Sequence, residues 1–300
     1  MNTLKALIKR NTKLFFKDKG MFFASLITPL ILLVLYGTFL SNVYEETFQE
    51  SLKAAGATVT DKLINGCVGG QLVSSLLAVS CVTVAFCSNM VMVQDRVNGA
   101  RRDLTISPVK SSTLAMSYYI STLLSTLLVC CIAAGVCLLY LAKVGWFLTV
   151  TDVLLLLLDV LLLSLFGTAL SSIVNHFLSS QGQMSAVGTI ISAGYGFICG
   201  AYMPISQFSK GIQHTVSFLP GTYGTSLLRN HVMRGTFEEM SHQNLPSQVV
   251  EAIKDSIDCN LYFFDNKVET CTMYLILVGA VVLLIVVYVL LNVLRGKKYK

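Results

Sequence analysis

Two aspartates inside an apolar stretch are the residues of this sequence best placed to do chemistry. Asp152 and Asp159 are seven residues apart in a leucine-rich run, a spacing that places both on one face of a helix. We predict that Asp152 caps the start of this helix. Asp159, two turns further on, could line a polar cavity, pair across a subunit interface or be protonated, so it is a candidate pathway residue.

No motif for covalent chemistry, nucleotide hydrolysis or metal binding occurs in the sequence. It lacks G-x-x-x-x-G-K-[ST], which would cradle phosphate, and G-x-S-x-G, which would present a nucleophilic serine. The four histidines are scattered, and no two have the i, i+4 spacing of a helical metal site. We therefore expect no catalytic residues and no metal in this chain, and a protein that is not itself an enzyme.

The nine cysteines do not form a redox or metal motif, since C-x-x-C is absent. Most of them lie in apolar runs, where cysteine behaves as a small hydrophobe. Cys259 and Cys271 share one polar segment and could form a disulfide, although spacing alone does not fix the geometry.

The composition requires a membrane around these residues. Hydrophobic residues make up 54% of the 300 residues and charged residues 13%, whereas a soluble domain has about 25% charged residues. A spanning helix needs roughly 20 apolar residues. We predict an all-α polytopic membrane protein with six transmembrane helices, at about 21–41, 72–93, 114–142, 150–174, 183–205 and 272–294.

The basic residues predict the orientation of these spans. If both termini lie inside, the inside segments hold 14 of the 22 lysines and arginines. Basic residues accumulate in cytoplasmic loops. We expect a multi-pass protein of the cell membrane with both termini in the cytoplasm.

The chain begins with a basic amphipathic stretch. Over residues 1–20, lysines recur every four residues and apolar side chains share another helical face. Such a helix lies in the headgroup plane; the alternative is a solvated basic terminus. We divide the chain into this interfacial helix, 1–20, and a permease domain, 21–300.

Two segments between spans have unusual patterns. Residues 94–109 read as a short charged helix that stops before Pro108, able to dock into a partner and push on both adjoining spans; the alternative is an ordinary solvated loop. Residues 208–219 are too short to cross a membrane and too apolar for a free loop, which predicts re-entrant or amphipathic half-helices between spans five and six.

These features together resemble the permease subunits of type-2 ABC exporters over nearly the whole chain. In that family an acidic-Gly-Thr…Leu…Ser/Thr-Pro loop follows span two, and a Gly…Pro…Pro…Arg…Gly stretch follows span five. The sequence departs from the first motif at two positions, with Asn98 where the family usually has Glu and Ala100 where it has Thr. The residues that match or surround the first motif are Asp95, Arg96, Gly99, Arg101, Arg102, Asp103, Leu104 and Pro108. The second motif matches Gly200, Pro204, Pro220 and Arg229, in half-helices expected on the extracellular side.

The resemblance implies a complex of two permeases, identical or different, with two ATPase subunits. The ATPases would sit beneath the N-terminal helix and the 94–109 loop, and they would bind the ATP and Mg²⁺ that this chain does not. No nucleic acid is expected as a partner.

Two other functions remain open, as does the substrate. An ion-gradient-driven transporter or channel would use Asp159, and a membrane-embedded lipid enzyme would need clustered catalytic groups that are lacking. If two copies pair through spans two and five, which are rich in small residues, the lumen would be narrow and apolar. That would suit an amphiphilic drug, lipid or peptide.

Overall fold

The computed structural model describes residues 2–35, 38, 41–42, 45–46, 48–49, 60–106, 109–264 and 266–298. Within these residues the chain is almost entirely helical, apart from one short hairpin. The helices are α1 Asn2–Lys17, α2 Lys19–Leu35, α3 Asp61–Ser88, α4 Met90–Val97, α5 Ala100–Ile106, α6 Ser111–Val144, α7 Val150–Phe177, α8 Gln181–Ile198, α9 Lys210–Val216, α10 Pro220–His242, α11 Ser247–Ser256 and α12 Thr270–Lys298. Strands β1 Leu261–Phe263 and β2 Asn266–Val268 pair in antiparallel register.

Four stretches of helix are long and apolar enough to cross a membrane: Asp61–Val97, Ser111–Val144, Val150–Phe177 and Thr270–Leu294. The predicted spans 72–93, 114–142, 150–174 and 272–294 lie within these four stretches. The predicted spans 21–41 and 183–205 correspond to α2 and α8, which fall outside this set of four. The count of six spans therefore stays a prediction, and residues 36–37 and 39–40 of the first span lie outside the described residues.

The fifth predicted span extends too far. Helix α8 ends at Ile198, because Gly200 has a φ of 72° and turns the chain out of the helix. This left-handed conformation favours glycine. Residues 201–205 were predicted to continue the span, which is wrong: they form a bend that leads into a single turn of 3₁₀ helix, Ile205–Gln207.

Helix α3 is the centre of the bundle, enclosed by α2, α6, α7, α8 and α10. Within the apolar stretch Asp61–Val97, which includes α3, 89% of the residues in an 18-residue window are buried. The corresponding share for α12 is 17%. Close approach explains the small residues: a Cβ on Gly167 of α7 would lie 2.9 Å from the Val82 Cα of α3. In α3 itself, which contains span two, a Cβ on Gly70 would lie 2.8 Å from the Cγ of Met233 of α10, so its small residues pack inside the chain. Helix α8, the fifth predicted span, exposes several of its small residues.

The bundle has two distinct ends. The proximal end carries α1, α4, α5 and the last turns of α12, where Tyr288 donates to the carbonyl of Ala115 at 3.2 Å. The distal end carries α11, the hairpin and the C-terminal part of α10. Helix α10 runs antiparallel along α7, since Arg234 contacts Asp152 and Gly224 packs against Leu163. Leu163 lies roughly 20 Å along α7 from its start, so α10 begins deep beside the spans.

Candidate functional site

Asp95 is the centre of a buried contact between α1, α4 and α6 at the proximal end. The terminal nitrogens of Arg10 donate to its carboxylate oxygens at 2.6 and 2.9 Å, and the Tyr118 hydroxyl donates to Oδ2 at 2.6 Å. Hydrogen bonding to Asp95 raises the pKa of the Arg10 guanidinium above its ordinary value. Asp95, predicted as a coupling residue, thus fastens α1 to the bundle with its carboxylate turned inward.

The next two predicted coupling residues bind other spans. Arg96 donates to the last carbonyl groups of α7, among them that of His176 at 2.9 Å. A cation there is favourable because the C-terminal end of a helix carries partial negative charge. Arg101 donates to Asn292 Oδ1 of α12 at 3.2 Å. Together with Asp95, these residues connect the 94–106 segment to α1, α6, α7 and α12.

The 94–109 segment is not one helix, as the sequence predicted. Gly99 has a φ of 80° and separates α4 from α5, because this left-handed backbone ends the first helix. Leu104 is half-buried against the apolar cluster at the proximal end, which includes Leu7 and Phe15 of α1. Pro108 lies outside the described residues.

One face of α5 is directed away from the bundle. Arg102, Asp103 and Thr105 are exposed, and Ile106 has 78% of its surface exposed. The four lysines of α1 at positions 5, 9, 13 and 17 are exposed as well, opposite the buried Leu7 and Phe15. The predicted amphipathic helix is therefore confirmed, and we call the exposed residues of α1 and α5 the proximal surface.

At the distal end, Arg229 of α10 is the largest fully buried side chain of the described structure. Its Nη1 donates to Asp258 Oδ2 at 3.3 Å, and its Nη2 donates to Ser75 Oγ at 3.3 Å and to the carbonyl of Gly200. Two residues of the predicted second motif, Gly200 and Arg229, thus meet directly. They join α8, α10 and α3 to the segment after α11.

Asp258 is held by the backbone as well as by Arg229. It accepts hydrogen bonds from the amides of Ile205 and Ser206 at 2.6 and 3.2 Å. Burial raises the pKa of the Asp258 carboxyl, while the Arg229 charge and the two amides act in the opposite direction. The motif's prolines flank this site: Pro204 precedes the 3₁₀ turn, and Pro220 is the first residue of α10, where a missing N–H costs nothing.

Asp159 is fully buried, and both of its carboxylate oxygens have partners in this chain. His231 Nδ1 of α10 lies 2.6 Å from Oδ2, and the Tyr274 hydroxyl of α12 donates to Oδ1 at 2.7 Å. The carboxylate therefore connects α7, α10 and α12. Its role in a transport pathway stays a prediction.

The N-cap of α7 is Thr149, and Asp152, predicted as the cap, takes part from the N3 position three residues later. It forms a capping box with Thr149, and Arg234 Nε donates to its Oδ1 at 2.6 Å. The acidic residues of α7 at positions 152 and 159 thus bind positions 234 and 231 of α10.

The cysteines and the titratable groups give no further site. Cys259 is buried, Cys271 is exposed, and both are free thiols, so their disulfide stays a prediction about the oxidised protein. Among the described residues no three His, Cys, Asp or Glu side chains are close enough to hold a metal ion.

The partners of the predicted residues were not recognisable from sequence. Arg10 was counted only as one of several basic residues, and Tyr118 and Tyr274 stand in apolar runs where tyrosine is common. A weak signal existed for Asp258, the acidic residue beside Cys259 in an otherwise solvated segment. Nothing local linked it to Arg229, which is 29 positions earlier.

Comparison with known protein families gives a match to the ABC-2 type transporter family over residues 2–233. The match covers every element from α1 through most of α10, including the proximal surface and both motifs. The comparison with curated proteins gives no match.

Proposed function

The chain belongs to the ABC-2 type transporter family and is a transmembrane component of an ABC transporter, and on this premise we propose that it is the permease subunit of an exporter driven by a separate ATPase. The proximal end then faces the cytoplasm with both termini, and the distal end faces outward. The proposed binding site of the ATPase is the proximal surface.

The observation that carries this proposal is that residues 94–106 direct some side chains into the bundle and others away from it. Asp95, Arg96 and Arg101 are directed inward and bind α1, α7 and α12, whereas Arg102 and Ile106 are directed outward. A force applied to α5 would therefore reach several spans through hydrogen bonds that already exist. Ile106, with 78% of its surface exposed, adds an apolar side chain to the charged residues that α5 directs outward.

The position of α10 supports an outward-facing role for the second motif. Because α10 starts beside Leu163 and rises to Asp152, it occupies the distal part of the bundle as a re-entrant half-helix would. It is held there by the buried Arg229–Asp258 pair and by the contacts of His231 and Arg234 with α7, which suits a rigid lid over the end of a pathway.

A second permease subunit, identical or different, is the proposed partner within the membrane. Helix α8 exposes polar and small side chains, among them Gln183, Ser185, Ala186 and Thr189, on a helix that an exporter would place in lipid. Small and hydroxyl-bearing residues permit close helix packing in membranes. Pairing through α8 would create a narrow apolar pathway, suited to an amphiphilic drug, lipid or peptide.

Affinity purification of the tagged chain from its own cells tests this proposal. We expect an ABC ATPase to co-purify with the wild type and to be lost with Ile106→Asp or Arg102→Glu. Lys62→Glu, an exposed charge reversal at the distal end, serves as the matched control and should retain the ATPase. If the purified chain transports substrate with no ATPase present, the proposal is wrong.

A further inference from the structure

A cavity of about 300 Å³ lies between α2, α3 and α6, well separated from Asp159 and from the proximal surface. Its walls are Leu33 of α2, Leu72 and Leu76 of α3, and residues 136–143 along one face of α6. All but a small part of this lining is apolar. We propose that the cavity binds the acyl chain of an anionic phospholipid whose headgroup is held by Lys143.

The cavity opens toward lipid. On its rim, Leu139 has 69% of its surface exposed, and Val136, one turn away, is also exposed. The inner wall is formed by Leu72 and Leu76 of the enclosed helix α3. Because an apolar cavity does not retain water, the hydrocarbon chains of lipids are what would fill a cavity at this position.

The dimensions fit one acyl chain within one leaflet. From Val136 to Lys143, α6 rises about 10 Å. One leaflet contributes roughly half of the 30 Å hydrocarbon core. The cavity could therefore contact an acyl chain along about two thirds of the thickness of one leaflet.

Lys143 supplies the charge complementarity that selects the headgroup. It is the one charged residue of the lining, and it lies in the last turn of α6 at the distal end. Across the described part of the chain, it forms no ion pair with a carboxylate. Trp146, three residues later and exposed, places this turn at the membrane surface, where tryptophan is enriched. A phosphate at that depth meets the ammonium group while its acyl chain enters the cavity.

The same features favour an anionic over a zwitterionic headgroup. A choline or ethanolamine group carries its own cation, which competes with Lys143 for the phosphate. The inference does not depend on the exporter proposal, because it requires only that the chain spans a membrane.

Native mass spectrometry of the purified full-length chain tests this inference. The probes are phosphatidylglycerol and phosphatidylcholine with identical acyl chains. We expect the wild type to retain one phosphatidylglycerol per chain, about fivefold in preference to phosphatidylcholine. Lys143→Glu should remove the preference, and Val136→Trp, which fills the rim, should reduce retention of both lipids.

Two matched controls distinguish the cavity from the rest of the surface. Ile132→Trp lies one turn from Val136 on α6, is exposed and does not line the cavity. Lys210→Glu reverses an exposed charge on α9, also outside the cavity lining. Both should bind lipid as the wild type does. Equal retention of the two lipids by the wild type, or an unchanged preference for phosphatidylglycerol in Lys143→Glu, would overturn the proposal. So would equal losses in Val136→Trp and Ile132→Trp, or displacement of the lipid by a transported amphiphile at stoichiometric concentration.

Discussion

Two of the arginine–aspartate pairs of this molecule, one at each end, join segments outside the spans to the bundle and differ in their exposure to solvent. At the distal end Arg229 and Asp258 have 1% and 5% of their side-chain surfaces exposed. At the proximal end the Asp95 side chain is 8% exposed, but Arg10 is 32% exposed. Each pair fastens a segment outside the spans to the bundle.

This difference in exposure indicates which of the two pairs can break at the lower energetic cost. Breaking a buried pair leaves an uncompensated charge in a low-dielectric interior, so the distal segment is fixed. A half-solvated arginine can exchange its carboxylate partner for water at small cost. In the exporter proposal, the proximal pair lies where an ATPase would push and the distal pair lies where a lid must hold.

The largest predicted effect is at the distal pair. Asp258→Asn, which leaves Arg229 buried and charged, should lower the free energy of unfolding by about 3–5 kcal/mol. The measurement is thermal unfolding of the detergent-purified chain. Lys267→Met is the control, because both side chains of the Lys267–Glu251 pair are about half exposed and its loss should cost much less. Equal effects in the two variants would contradict the contrast between the ends.

A smaller effect is expected at Asp159, where a hydrogen-bonded triad joins three helices. Asp159→Asn removes the carboxylate that His231 and Tyr274 contact and should cost about 1–3 kcal/mol of unfolding free energy. ATP-driven transport per folded molecule should persist. Complete loss of transport in a folded variant, together with insensitivity to ATP depletion, would support the ion-gradient function.

The proximal pair should affect coupling more than stability. Arg10→Met keeps most of the apolar stem and leaves Asp95 with the hydrogen bond from Tyr118, so it should cost about 1–3 kcal/mol of unfolding free energy, less than Asp258→Asn. Transport per ATP hydrolysed should fall, since α1 is no longer fastened to α4. The measurement compares ATPase rate with substrate flux in proteoliposomes, with Lys9→Met on the exposed face of α1 as control. An unchanged ratio of flux to hydrolysis would show that this pair does not transmit force.

The smallest effect is a pH dependence confined to the distal surface. Contacts with Lys254 and Lys267 and with Asn260 lower the pKa of Glu251 to about 2, against an ordinary value of about 4.3. Because the folded-state pKa is the lower one, this stabilisation is present above about pH 4 and is lost as the pH falls toward 2. Glu251→Gln should flatten the acid limb of the unfolding curve slightly, and an unchanged limb would contradict the assignment.

The sequence predicted the helices far better than their contacts. The apolar runs of α3, α6, α7 and α12 were recognisable because length and hydropathy alone decide whether a helix can span a membrane. The end of α8 was missed because the turn depends on a left-handed Gly200, and glycine is common inside spans as well. The motifs identified Asp95 and Arg229 as candidate site residues, but they did not predict that both side chains point into the bundle.

Orientation could not be predicted because the partners come from distant parts of the chain. Asp95 pairs with a residue 85 positions earlier, and Arg229 contacts Ser75, 154 positions away. Helical periodicity assigns a face to a residue, but it does not say which helix covers that face. The break at Gly99 has the same cause as the end of α8, a single positive φ within a pattern that otherwise favours helix.

The most direct test of the account is substrate efflux from proteoliposomes that contain the chain with and without its co-purified ATPase. We predict that efflux requires both the ATPase and hydrolysable ATP, and that Ile106→Asp abolishes it while the variant unfolds at the wild-type temperature. Efflux by the chain alone, driven by an ion gradient and lost in Asp159→Asn, would contradict the account.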